Sequence, residues 1–222
     1  MTGVEIVTID GPSGAGKSTI SQTLAANLGY AYLDTGAMYR AVGLQMERSG
    51  LDGDDTAALG QLLAKIDLQL KADGGETRVF LDGEDVSGLI RTPEMSMVAS
   101  RVSAIPAVRE KLTQLQREIG NRGQIVAEGR DMGTVVFPQA AWKFFLDATP
   151  AERARRRVLQ LREKGQQVDE QETLRLIVER DRADSSRALA PLIPAKEALI
   201  VDSSKMTIDE VVSLMKEQVE KE

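Results

Sequence analysis

The chain has 222 residues, 28 of them basic and 34 acidic, for a formal net charge of −6. It contains no cysteine and no histidine, which excludes disulfides, zinc ribbons, thiol catalysis and the commonest general base. Any proton transfer would fall to a carboxylate, lysine or tyrosine. The acidic balance argues against a broad nucleic-acid surface while leaving a local basic cleft open.

The length suits one domain with a small insert. Aromatic residues make up only 4%, so the core must be built mostly from Leu, Ile, Val, Ala and Met. No stretch approaches the ~18 apolar residues of a membrane span, and the start of the chain lacks a secretory pattern. A soluble, cytoplasmic protein with no membrane partner is expected.

In chain order, Val4–Ile9 reads as a strand. Gly11-Pro12-Ser13-Gly14-Ala15-Gly16-Lys17-Ser18 then fits G-x-x-x-x-G-K-[ST] at every fixed position. Ile20, Leu24 and Leu28 mark one face of the helix Lys17–Leu28 that follows, closed by Gly29. Strand, glycine loop and helix are the context a phosphate-binding loop requires. Glycines let successive backbone N–H groups curl around phosphate oxygens, and the helix N-terminus adds partial positive charge. Lys17 is placed to reach the β- and γ-phosphates, and the Ser18 hydroxyl to ligate Mg²⁺.

Tyr30–Leu33 reads as a second strand, and Gly36–Arg48 and Asp55–Lys65 as helices. The period then changes. Ile66, Leu68 and Leu70 alternate with polar residues, as do Val79 and Leu81 less cleanly, and Asp73-Gly74-Gly75 signals a turn between them. An antiparallel β insert is expected from Ile66 to about Arg91. Helices follow at Thr92–Ser103 and Pro106–Gly120, and strands at Gln124–Ala127 and Trp142–Asp147. A capping box at Thr149 and Glu152 opens a helix to about Lys164. A helix over Asp169–Ser185, a strand over Ala198–Val201 and a terminal helix capped by Thr207 and Glu210 complete the chain. Strands alternating with helices predict an α/β fold with a parallel sheet covered on both faces.

Arginine clusters late in the sequence, with nine between Arg153 and Arg187. Its planar fork of donors matches phosphate oxygens bidentately. Arg153, Arg156 and Arg157 share a helix with Glu152 and Glu163, so part of this set reads as a solvated face of surface pairs. Arg130 differs. It lies in Glu128-Gly129-Arg130-Asp131-Met132-Gly133-Thr134, just past the end of a predicted parallel strand. Ligands of open α/β sheets bind outside those strand ends. Asp131 beside it reads as an acceptor for a ligand's N–H groups, with a structural turn or a metal-site carboxylate as alternative roles. Glycines 120, 123, 129 and 165 read either as hinges or as plain turns and caps.

Four stretches together resemble bacterial cytidylate kinases over essentially the whole chain. They are Ile9–Lys17, Asp34-Thr35-Gly36-Ala37-Met38-Tyr39-Arg40, Gly129–Thr134 and Arg187-Ala188-Leu189-Ala190-Pro191-Leu192. The resemblance implies a three-layer P-loop kinase fold with a central parallel five-stranded sheet. It also implies one domain over residues 1–222, with a monophosphate-binding insert at about 62–101 and a lid at about 153–166. By the same resemblance, ATP is held by Gly11, Pro12, Ser13, Gly14, Ala15, Gly16, Lys17, Ser18 and Thr19. Thr35, Arg40 and Arg130 match positions around the CMP phosphate, Tyr39 is a further CMP-binding position, and Ser100, Arg109 and Asp131 match positions around the base. Arg180, Asp184 and Arg187 match positions near ribose and phosphate, and Arg157 a lid arginine. Lys17, Arg40, Arg130 and Arg157 form the implied catalytic set. The implied partners are ATP and CMP or dCMP, the implied cofactor is Mg²⁺, and a monomer without nucleic-acid partners is expected.

Two positions depart from the family pattern. Glu128 stands where Asp is expected, and Ser18 where some members have Gly, so Mg²⁺ ligation is open between Ser18 and Thr19. Independently of the resemblance, an acceptor that is already a phosphate oxyanion needs no general base, which suits a chain without histidine. A hydroxyl acceptor would more often want a carboxylate base, and Asp34 is a candidate for one. A GTPase switch would want N-K-x-D, which the sequence lacks.

Overall fold

The computed structural model describes residues 5–73, 76–163 and 165–221. Val4, the Gly74-Gly75 part of the expected turn and Lys164 at an expected helix end lie outside the described residues. The chain opens with β1 (Ile6–Asp10), α1 (Lys17–Leu28), β2 (Ala31–Asp34), α2 (Thr35–Arg48) and α3 (Thr56–Lys65). A three-stranded antiparallel sheet follows, made of β3 (Leu68–Asp73), β4 (Glu76–Leu81) and β5 (Glu84–Asp85). Next come α4 (Pro93–Val102), α5 (Pro106–Gly120), β6 (Ile125–Gly129), a single π-helical turn over Met132–Val136, and β7 (Trp142–Asp147). The chain ends in α6 (Pro150–Glu163), α7 (Glu170–Ser186), β8 (Leu199–Asp202) and α8 (Ile208–Glu220).

Strands β2-β6-β1-β7-β8 form one parallel sheet in that order, with β1 at its centre. Alternation sorts its side chains between two cores. Val7 and Ile9 of β1 pack with Ile20 and Leu24 of α1 and Val212 and Met215 of α8. Ile125 and Ala127 of β6 face the opposite way, toward Met38 of α2 and Leu112 of α5. Full burial of side chains such as Leu24 or Leu112 stabilises by about 1.5–3 kcal/mol each. Helices thus cover both faces, and the antiparallel sheet packs Val79 and Leu81 into the α2 side.

Local signals set most boundaries. Gly29 ends α1 at a left-handed φ of 70°. Asp34, Asp55, Thr92 and Asp169 each accept a backbone N–H as helix N-caps. The full capping box at Thr207 and Glu210 is present. The one expected at Thr149 is only half made. The Glu152 amide donates to the Thr149 hydroxyl at 3.3 Å, but the Glu152 carboxylate is taken by Arg155 and Arg156. Among the described residues, no helix is long and apolar enough to cross a membrane.

Candidate active site

The glycine loop leaves the C-terminal end of β1. Gly11 is required there, because a Cβ would lie 2.0 Å from the Leu146 carbonyl oxygen of β7. Gly16 caps α1 at a φ of 93°, a left-handed conformation that favours glycine. Lys17 begins α1, and its Nζ donates to the Pro12 carbonyl at 2.7 Å. Burial and, next, the Arg130 charge hold the Lys17 ammonium well below its usual range. Ser18 and Thr19 are exposed on the first helical turn.

The loop is braced from outside. Arg153 donates to the Ser13 carbonyl at 3.1 Å and the Ala148 carbonyl at 2.8 Å, and pairs with Asp181 at 2.7 Å. Arg156 donates to the Ala15 carbonyl at 3.3 Å and the Ser203 carbonyl at 2.6 Å. Arg180 reaches the Ser13 hydroxyl at 3.2 Å. Arg153 and Arg156 therefore do not belong to the solvated face expected of α6, where Arg155 remains 57% exposed. Both were hidden in the sequence because the Ser13 and Ala15 carbonyls they reach lie some 140 positions away.

Across the cleft, residues from six elements converge. Asp34 closes β2 and caps α2. One of its carboxylate oxygens accepts the Ala37 amide at 2.8 Å, and the other accepts from Arg40 at 3.1 Å. Thr35 donates to the Glu128 carbonyl at 2.6 Å, tying α2 to β6. Arg109 of α5 bonds Asp131 at 2.8 Å and Tyr39 at 3.2 Å, and lies 5.6 Å from the Tyr39 ring centre. Arg130 bonds Asp184 of α7 at 2.9 Å, and Ser100 of α4 donates to the same carboxylate at 3.1 Å. Arg187 lies 3.8 Å from Asp184 and donates to Ser103 at 2.8 Å.

The electrostatics separate the two buried aspartates. Burial pushes both upward. At Asp131 burial wins over Arg109 and Arg187, so its carboxyl is raised. At Asp184, Arg130, Arg180 and Arg187 outweigh burial and hold it below the usual range. Burial, then Arg130, brings the Arg180 guanidinium down to about 10. Arg157 bonds Gln160 at 2.7 Å, and burial with the nearby Arg40 charge lowers it. Among the described residues, Arg40 Nε, Arg180 Nε, Arg187 Nη2 and Thr134 Oγ1 are buried without a hydrogen bond, Arg180 Nε lying 3.9 Å from the Asp184 carboxylate. Glu128 is buried near the end of β6 and hydrogen-bonded by Tyr32 and Ser18; burial, then Asp34, raises its carboxyl.

A phosphate loop at the end of a central parallel strand, facing an arginine pocket built around the neighbouring strand, defines a phosphotransferase of the P-loop kinase fold. The fold alone is similar to shikimate kinase from Bacteroides thetaiotaomicron, with a TM-score of 0.50, 15% identity, and coverage of 97% of this chain and 98% of that one. The cytidylate kinase family model matches residues 7–221. The chain is 49% identical over 214 residues to a cytidylate kinase of Geobacter sp. (strain M21), covering 96% of this chain and 92% of the relative. It is 50% identical over 210 residues to one from Syntrophotalea carbinolica, covering 95% and 89%. The chain belongs to the cytidylate kinase family.

Proposed function

We propose that the protein transfers the γ-phosphate of ATP to CMP or dCMP, giving ADP and CDP or dCDP, with Mg²⁺ on the triphosphate. The charge balance of the acceptor pocket carries this reading. The guanidinium groups of Arg40, Arg109, Arg130, Arg180 and Arg187 meet the carboxylates of Asp34, Asp131 and Asp184. The excess of two positive charges matches a monophosphate dianion. The nitrogens of Arg40, Arg180 and Arg187 that make no hydrogen bond gain acceptors when phosphate oxygens enter.

In this reading Lys17 and the loop amides hold the donor phosphates. Arg40 and Arg130 orient the acceptor phosphate, and Arg157 covers the transferring group as a lid over about 153–166 closes. The insert over about 62–101 brings Ser100 to the nucleoside. The acceptor is already an oxyanion, so no base is required, and catalysis consists of positioning and charge stabilisation. Asp131 accepts from the cytosine N4 amine, where uracil presents an acceptor and is repelled. Both Asp34 oxygens are engaged by Ala37 and Arg40, which disfavours it as a base for a hydroxyl acceptor.

For Mg²⁺, Ser18 and Glu128 supply adjacent hard oxygen donors at the loop. Among the described residues no three acidic side chains converge on a metal-sized site, but an ion shared with phosphates needs just one or two carboxylates. When bound, Mg²⁺ neutralises charge on the β- and γ-phosphates. The protein acts as a cytoplasmic monomer.

The test is ADP release from ATP with CMP, dCMP, UMP, AMP and shikimate offered in parallel. CMP and dCMP are expected to stimulate release strongly. Rates no higher than with ATP alone would overturn the reading.

A further inference from the structure

Asp10 is the last residue of β1 and directly precedes Gly11. It is 3% exposed, and nothing in the phosphoryl chemistry uses it. Its Oδ1 accepts the Met132 N–H at 2.8 Å and its Oδ2 the Gly133 N–H at 2.8 Å. These amides open the π-helical turn that follows Arg130 and Asp131 without a break. Two parallel bonds from one carboxylate to consecutive amides fix both the position and the rotation of that peptide.

The far end of the turn is held as well. Arg117 of α5 donates from Nε to the Val136 carbonyl at 3.0 Å and from Nη2 to the Val135 carbonyl at 2.8 Å. Close approach is built in at Gly133, where a Cβ would lie 3.1 Å from the Thr8 hydroxyl and 3.4 Å from Asp10 Oδ2. The charged groups facing Asp10 are Asp131 from the acceptor loop and Lys17 from α1. A buried carboxylate is costly unless it is fully bonded, and here both oxygens are spent on one short turn. π-helical turns of this kind recur at functional sites.

We infer that Asp10 is a positioning residue for the acceptor substrate. It fastens the Gly129–Thr134 segment, and with it Arg130 and Asp131, to the root of the donor loop. The β1–β6 ladder sets Gly129 beside Asp10, and the Asp10 side chain carries that registration on to the turn beyond Asp131. The inference rests on the phosphoryl-transfer reading above.

The experiment compares wild type, Asp10→Asn and Arg117→Met by steady-state kinetics with ATP and CMP varied separately. Equilibrium binding of a fluorescent ATP analogue and circular dichroism accompany it. Asparagine keeps one acceptor oxygen but turns an NH₂ toward the second amide. Asp10→Asn should lower kcat/KM for CMP by about 10- to 100-fold, with affinity for the ATP analogue unchanged within about twofold. Arg117→Met, which leaves the buried carboxylate alone, should raise KM for CMP by about two- to fivefold and leave ATP binding intact. Equal losses for ATP and CMP, or unaltered CMP kinetics, would sink the role of Asp10. If Asp10→Asn does not fold, Arg117→Met decides, and normal CMP kinetics in that variant overturns the inference. A wild type that CMP does not stimulate refutes the reading above instead, so the two failures are distinguishable.

Discussion

Between Gly11 and Ser18 the chain presents backbone; across the cleft it presents side chains from α2, α4, α5, α7 and the end of β6. The backbone half is compact in sequence, and outer bonds from Arg153, Arg156 and Arg180 brace it. The side-chain half is scattered over some 150 residues and held by mutual pairing, Arg109 with Asp131 and Arg130 with Asp184. Glycine amides carry no charge that needs a partner before phosphate arrives. Buried guanidinium groups do, and the aspartates supply it. On the function proposed above, a triphosphate cradle is made locally, whereas a monophosphate pocket that also reads a base is assembled by the whole fold.

The largest effect should break the donor half alone. Changing Lys17 to Ala should lower kcat by about 100- to 1000-fold, the range for losing one donor to transition-state charge. Circular dichroism and CMP binding should stay near wild type. A parallel collapse of CMP binding would show that the halves are not separable.

The second prediction probes the joint between them through pH. Burial raises the Asp10 carboxyl from 3.8 to about 6, opposed by its amide bonds. Because the folded value lies above the unfolded one, this group's stabilising contribution is complete below pH 3.8 and is withdrawn as pH rises through about 6. At 1.36 kcal/mol per pH unit the change is on the order of 3 kcal/mol. Denaturant unfolding of wild type and Asp10→Asn across that window should show the wild type losing ground as pH rises. Parallel profiles would mean that the two amide bonds fully offset the cost of burying the Asp10 charge.

The smallest effect should fall on the acceptor half. Asp131→Asn should narrow the preference for CMP over UMP, measured as the ratio of kcat/KM values, by about tenfold. A ratio that does not move would place base reading elsewhere in the pocket.

Much of the fold was legible because it rests on local chemistry. The Gly29 cap, the proline that opens α5 and the alternation in β3 and β4 each set a boundary within a residue or two. The glycine loop was legible for the same reason. The Thr149 box misled because two arginines compete for the Glu152 carboxylate, which they hold down to about 2. Which arginines of α6 leave the solvated face is not legible, because a helical spacing cannot reveal the distant carbonyls that Arg153 and Arg156 reach. The π-helical turn left no periodic trace over five residues. Asp10 did leave one, as Thr8 and Asp10 alternate with Val7 and Ile9, a polar stripe inside a strand buried on both sides.

That alternation makes β1 a ruler. Ile9 and Asp10 point to opposite faces, one into the α1 and α8 core and the other into the π-helical turn. Apolar residues of similar volume can be exchanged along the strand. Removing or adding a single residue cannot be absorbed, because the slip would send Ile9 toward the amides and the carboxylate into the core. Variation in β1 should therefore run through replacement, with its length invariant from Ile6 to Gly11 even where the chain around it grows or shrinks.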